Sequence, residues 1–292
     1  MLNLQHLRAL SAIIDEGSFE AAADMLGVTA SAVSQRIKAL ETSVGQVVVR
    51  RGVPCTPTEA GTVLLRTARQ VQLLEAEARH ALGSEPQSRS VMRIAVNADS
   101  LATWFVPVLR EVALWPDTTL DLRVEDEGFS NRLLRQGDVV GAVTSDPSPI
   151  NGCRVEPLGS MRYVPMAAPD LFERFVIDGG PDWARMPVLE FNVKDALQRR
   201  VLRAHGVEQQ PPTHSIPASD GFLAAARAGL GWGLIPEGQA RAGLDDGSLV
   251  LLDGAHQDVA LHWQTWSLHS ERLDRLGRAV HRAAEQGLTR SV

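Results

Sequence analysis

Apolar residues recur at Val33, Ile37, Leu40 and Val44, spacings of four, three and four that put one stripe on one side of a helix. Thr29 or Ser31 can cap that helix, and Gly27 just before it suits a tight turn. Upstream, Ser18 can cap a short helix whose Ala21, Ala22 and Ala23 allow close packing, so residues 18–45 predict a helix-turn-helix. Leu4, Leu7, Leu10 and Ile14 predict an earlier helix that completes a three-helix core. QVVVRRGVPCTPT then reads as a strand, a glycine-centred turn with Arg50 and Arg51, and a return to Thr58: a wing. From Thr58 to residue 82, Leu64, Ala68, Val71, Leu74, Ala78 and Ala81 form a stripe down one long helix. Such a stripe must be buried, against its own N-terminal domain or a second subunit, and the second is the expectation. The polar SEPQSRS at 84–90 makes a hinge.

Beyond the hinge, strands alternate with helices, which predicts parallel sheets. RIAVNA (93–98), TLDLRVED and VVGAVT (139–144) are strands, and LATWFVPVLREVALW is one helix with Leu101, Phe105, Val108 and Val112 on a face. A second set starts near Arg162 with RYVPMAA, PVLEF and THSIPAS, then a helix at SDGFLAAARAGLG and a strand at WGLIP. LHWQTWSL (261–268) returns to the first set, and residues 270–287 form a closing helix. The expected architecture is multidomain α/β. A winged helix-turn-helix spans 1–58 and a linker helix with hinge spans 59–90. A two-lobed, periplasmic-binding-protein-like α/β domain spans 91–292, with lobe I at about 91–161 and 263–292 and lobe II at about 162–262.

Composition narrows the class. The chain has 292 residues, 44% of them hydrophobic, enough for about two cored domains. The absence of a long apolar run or a charged start before an apolar segment predicts a cytoplasmic protein without membrane contact. Cys55 and Cys153 stand far apart in sequence, so a small apolar role is expected for each rather than a metal or redox centre. Enzyme chemistry finds no support, and no cofactor or metal is expected. GLGWG at 229–233 precedes LIP instead of opening a helix, and no serine has a nucleophile-elbow setting. Residues 1–90 hold nine basic and nine acidic residues, so the net charge of −6 belongs to residues 91–292.

A neutral DNA-binding domain needs a local footprint. Residues 28–53 hold Arg36, Lys38, Arg50 and Arg51 against Glu41 alone. Gln35 and Arg36 are the candidates for base edges. Ser34, Lys38, Arg50 and Arg51 are candidates for phosphates, with Thr29 and Ser31 at the helix start. So small a patch predicts weak binding by one domain and a gain through dimerisation.

The second domain has its own chemistry. In open parallel sheets ligands sit beyond the carboxyl ends of the strands. There the chain reads Asn97-Ala98-Asp99-Ser100, Glu125-Asp126-Glu127 and Thr144-Ser145-Asp146, five carboxylates and no basic residue. Converging like charges cost free energy unless a cation joins them, so a cationic small ligand is predicted, with two or three of the five facing it. Ser100 begins a helix whose free N–H groups favour an anion, which suits an amino acid's carboxylate. Trp104 can wall the site or belong to the core, and Ser219, Asp220 and Phe222 can close over it from lobe II.

AAADMLGVTASAVSQRIKALETSVG followed by TPTEAG resembles the N-terminal domain of LysR-type transcriptional regulators, and the downstream pattern fits that family over the full chain. NADSLATWF, VEDE, GDVVGAVT and GLGWGLIPE resemble its ArgP/LysG branch, the regulators of lysine and arginine export. The resemblance implies lysine, arginine or histidine as effector and control of an exporter gene. Its implied partners are a double-stranded DNA operator, other copies of the chain (a dimer through the linker helix, and a tetramer), and RNA polymerase as a candidate. The hydroxyl of Ser100 matches the serine or threonine through which such regulators contact effectors. Two other readings stay open: a LysR-type regulator of another small effector, and a ligand-independent nucleoid or replication-associated DNA binder.

Overall fold

Asn3, Ser18 and Thr29 each lend a side-chain oxygen to the first turn of a helix, and Gly17, Gly27 and Gly45 each end one in the left-handed conformation. The computed structural model, which describes residues 2–82, 90–125, 130–193 and 195–290, therefore opens with α1 (Leu4–Glu16), α2 (Phe19–Leu26) and α3 (Ala30–Val44). Gly27 has φ +64°, a value that lets α2 turn into α3 without the strain a side chain would bring. β1 (Val49–Arg50) and β2 (Thr56–Pro57) pair antiparallel as the wing. Leu7, Leu10, Ile13, Ile37 and Leu40 are buried in one core with Val48 and Val49. Cys55 belongs to that core.

Thr58 Oγ1 accepts from Gly61 N–H at 3.0 Å and starts α4 (Glu59–Ala81). The predicted stripe on α4 divides. Leu64 and Ala68, with Leu65, are buried in the core of the DNA-binding domain, while Leu73 joins the core of the second domain. Leu74 is 40% exposed, and Ala78 and Ala81 are exposed beside it. One helix thus serves two cores of its own chain and leaves a small apolar end uncovered. Of the predicted hinge, 84–89 lies outside the described residues and Ser90 begins a strand.

The second domain runs β3 (Ser90–Val96), α5 (Ala98–Ala102), α6 (Val106–Val112), β4 (Thr118–Val124), α7 (Ser130–Gln136), β5 (Gly141–Thr144) and β6 (Cys153–Ala167). It continues through α8 (Pro169–Arg174), β7 (Val176–Ile177), β8 (Gly180–Pro181), β9 (Val188–Glu190), α9 (Leu197–Ala204), β10 (Thr213–Ser215) and α10 (Ser219–Arg227). β11 (Gly233–Pro236), α11 (Glu237–Asp245), β12 (Val250–Leu251), β13 (Gln257–Trp266) and α12 (Glu271–Gly287) complete it. The single helix expected after β3 is two, because Pro107 in the first turn of α6 has no N–H to continue the preceding helix. The strand expected near Arg162 begins at Cys153 and is 15 residues long.

The sheet is mixed rather than parallel throughout. Its order is β11-β6-β13-β5-β3-β4, with β12 on β6. β3 lies parallel to β4 and β5, whereas β13 is antiparallel to both β5 and β6. β6 and β13 are long enough to run from one lobe into the other, and their pairing shifts register at Leu261/His262. Trp263 and Trp266 of β13 are fully buried beneath α12, whose Ser270 caps the Leu273 N–H. Among the described residues, no helix is long and apolar enough to cross a membrane.

Candidate DNA interface and effector cleft

On α3 each residue turns about 100° around the axis, and Val33, Ile37 and Leu40 fix the buried side. Ser31, Gln35 and Lys38 then project from the opposite side, and all three are exposed. Ser34 and Arg36 lie on the flanks and are half-buried. Thr29 Oγ1 accepts from Ala32 N–H at 3.2 Å, so the capping role falls to Thr29 and the Ser31 hydroxyl is left outward. Glu41, the one acid in this patch, is turned to the Val48 N–H at 3.0 Å. Arg50 and Arg51 are exposed on the wing, and the Arg51 guanidinium lies 4.8 Å above the Phe19 ring, a cation–π contact that ties the wing to α2. The outward face therefore carries hydroxyl, amide and cationic groups suited to base edges and phosphates.

The cleft starts from the parallel strands. Val96 pairs with Val124, and the β3–β5 register carries Asn97 toward Thr144, so the three strand ends stand at one edge within about 10 Å. Asp99 lies in the first turn of α5, half-buried. Its Oδ1 accepts from Ser219 Oγ at 2.7 Å and its Oδ2 from Tyr163 O–H at 3.0 Å. Gln239 Nε2 in turn donates to Ser219 Oγ at 3.1 Å. This chain of bonds joins lobe I, the crossing strand β6, and α10 and α11 of lobe II around one carboxylate. Tyr163 and Gln239 were missed from the sequence. Tyr163 is the one tyrosine of the chain, a signal that could have marked it.

The other candidates divide. Asp146 is held by its own loop and by α7: Ser148 N–H donates to Oδ1 at 2.9 Å and Asn131 Nδ2 to Oδ2 at 2.8 Å. The Ser148 backbone bond, with help from Asn131, keeps this carboxyl below its ordinary pKa and so ionised. Thr144 is buried, and its Oγ1 accepts from Asp146 N–H at 3.1 Å. Glu125 is half-buried at the end of β4, its backbone N–H bonded to Val96 O at 3.2 Å. Asn97 is a buried N-cap residue, and Asp220 is exposed in the first turn of α10. Asp126 and Glu127 lie outside the described residues.

Three of the candidates are buried among packing partners. Ser100 is 0% exposed and its Oγ accepts from Trp104 Nε1 at 2.9 Å, a bond within the core. Trp104 is itself a core residue, edge-on to Phe105 at 5.6 Å and packed on the end of α12 near Gly287. Phe222 is buried against Gly233, where even a methyl group would come within 2.5 Å of its ring.

A winged helix-turn-helix carried on an α/β domain whose parallel strands end in acidic residues defines a DNA-binding protein built around a ligand-type module. Residues 4–62 match the bacterial regulatory helix-turn-helix protein, lysR family, and residues 86–288 match the LysR substrate binding domain. The lysine export transcriptional regulatory protein LysG of Corynebacterium efficiens is 50% identical over 289 residues, 98% of this chain and 99% of that protein. ArgP of Mycobacterium tuberculosis superposes with a TM-score of 0.91 at 47% identity, covering 100% of both chains. Full-length LysG of Corynebacterium glutamicum with bound effector arginine gives 0.84 at 47% identity, covering 99% of this chain and 100% of that one. The chain belongs to the LysR family of transcriptional regulators.

Proposed function

We propose that this regulator senses a basic amino acid (lysine, arginine or histidine) between its lobes and controls transcription of an amino-acid exporter gene. The observation that carries the reading is Asp99, a carboxylate at the acidic strand ends that already bridges to Ser219 of the opposite lobe. An ammonium or guanidinium group there meets Asp99 and Glu125 in the negative field of Asp146. The bound arginine of the Corynebacterium glutamicum relative and the exporter role in the name of the Corynebacterium efficiens one support the same chemistry.

On DNA, two α3 helices enter successive major grooves about 34–36 Å apart, as in other dimeric helix-turn-helix proteins. Gln35 and Arg36 read bases. Ser31, Ser34, Lys38, Arg50 and Arg51 hold phosphates, and Thr29 fixes the start of the helix. Leu74, Ala78 and Ala81 on α4 are the apolar surface left for a second subunit. Lobe closure around the ligand has to differ in free energy between the two DNA-binding states for any switch to operate.

The test is calorimetric titration of the full chain with lysine, arginine, histidine, leucine and glutamate. Binding confined to the first three supports the reading; binding of leucine or glutamate, or of none, refutes the effector assignment and leaves the DNA-binding half standing.

A further inference from the structure

One face of α4 bears Arg66, Arg69, Leu73 and Glu77, spaced three, four and four apart, and each of the four engages the effector domain of its own chain. Arg66 Nη2 donates to Asn151 O at 2.6 Å, and Leu73 is buried in the effector-domain core. Glu77 Oε1 accepts from Ser270 Oγ and from Arg272 N–H. Arg69 does more, because it holds three bodies at once. Its Nη1 donates to Gly137 O at 2.8 Å and to Asp138 Oδ1 at 2.7 Å, while its Nη2 donates to Asp15 Oδ1, at the end of α1, at 2.6 Å. The Arg69 side chain is 10% exposed, and its partners Asp15 and Asp138 are 28% and 37% exposed.

The Gly137–Asp138 turn is the end of α7. The Gly137 and Asp138 N–H groups close that helix on Leu134 O and Leu133 O, and Leu134 anchors it in the core. Gly137 lies so close under α4 that a methyl group there would come within 2.8 Å of Arg66 Cα. At its other end α7 carries Asn131, whose amide donates to Asp146 at the strand ends. α7, seven residues and a rod of about 10 Å, thus links a side chain at the strand ends to the turn that Arg69 grips.

We propose that α7 is the transmitting element of this regulator, and that Arg69 is the clasp through which its position is passed to the DNA-binding domain. Movement of the Asp146 loop on ligand binding shifts Asn131 and α7 as one body. The Gly137–Asp138 turn then changes its grip on Arg69, and with it the hold on Asp15 and α1. The proposal rests on the effector reading above, and the coupling it describes must be reciprocal: ligand changes DNA affinity by the factor by which DNA changes ligand affinity.

The test uses the full chain, arginine, and a DNA duplex selected from a random pool by the wild-type protein. In the wild type, saturating arginine should change the duplex Kd at least fivefold. In Arg69→Ala, and in Asp138→Asn, which keeps the side-chain volume, that factor should fall to within twofold of unity while the separate Kd values for arginine and for ligand-free DNA stay within threefold. Arg69→Lys, which keeps the charge without the fork, should fall between. Retention of the wild-type factor in Arg69→Ala and Asp138→Asn overturns the proposal, as does wild-type arginine binding that leaves DNA affinity unchanged. If the wild type binds no arginine, the effector reading has failed, and amide exchange without ligand decides this one. Asn131→Ala or Asn131→Asp should accelerate exchange across residues 66–73 of α4 at least fivefold; unchanged rates there overturn it.

Discussion

Replacing Asp99 by Asn removes one negative charge from the cleft and almost no volume. The amide oxygen can still accept from Ser219 Oγ, now 2.7 Å away, and the amide N–H₂ can donate to the Tyr163 oxygen at 3.0 Å, so the bridge between lobes keeps its geometry. What is lost is the charge that meets the ligand's ammonium or guanidinium group. Truncating one partner of a buried hydrogen-bonded charge pair costs about 2–5 kcal/mol; for the half-buried Asp99 the low end applies, about 30-fold in Kd. Calorimetric titration of the full chain with arginine reads that loss directly, and a thermal scan without ligand checks the fold. An arginine Kd within threefold of wild type, with the melting profile unchanged, would refute the role given to Asp99.

Four further outcomes follow from other parts of the molecule. Burial pushes the Asp117 carboxyl up, but hydrogen bonds from Arg275 and Arg272 outweigh it and hold its pKa at about 2, below the ordinary 3.8. That depression contributes about 2 kcal/mol, present in full above the ordinary pKa and lost as pH falls from about 4 through about 2; in Asp117→Asn, urea unfolding should show the loss at pH 7 and a flatter acid limb. Gly61→Ala would bring a methyl group within 1.9 Å of Val48 O, so unfolding of the DNA-binding domain should become easier by about 1–3 kcal/mol, measured by denaturant titration. Gln35→Ala should cost about 1–3 kcal/mol on the preferred duplex and relax base preference at one position, whereas Lys38→Ala should weaken all sequences alike and lower the salt slope by about 1.

The helix caps show how much was legible along the chain. Ser18 and Gly27 act on groups within four residues of themselves, and the stripe of Val33, Ile37 and Leu40 needs only the helical repeat to be seen. The acidic strand ends were legible for the same reason, since parallel strands bring their carboxyl ends to one edge. The family, too, was carried by short contiguous motifs.

What the tertiary structure alone decided is which of these groups meet. Ser219 and Tyr163 stand 120 and 64 residues from Asp99, and Arg69 finds Asp15 and Asp138 at separations of 54 and 69. No local periodicity encodes such distances. Ser100 and Trp104 were candidates for a ligand contact, and in the structure the Trp104 indole donates to the Ser100 hydroxyl inside the core, while Phe222 fills the gap over Gly233. A backbone repeat says where a side chain starts, but its direction is set by the packing partners and hydrogen-bonding groups that other segments bring to it. Sequence therefore determined most of the elements and the charge at the strand ends, while long-range packing split the helix after β3, mixed the strand directions and chose Asp99 as the carboxylate that bridges the two lobes.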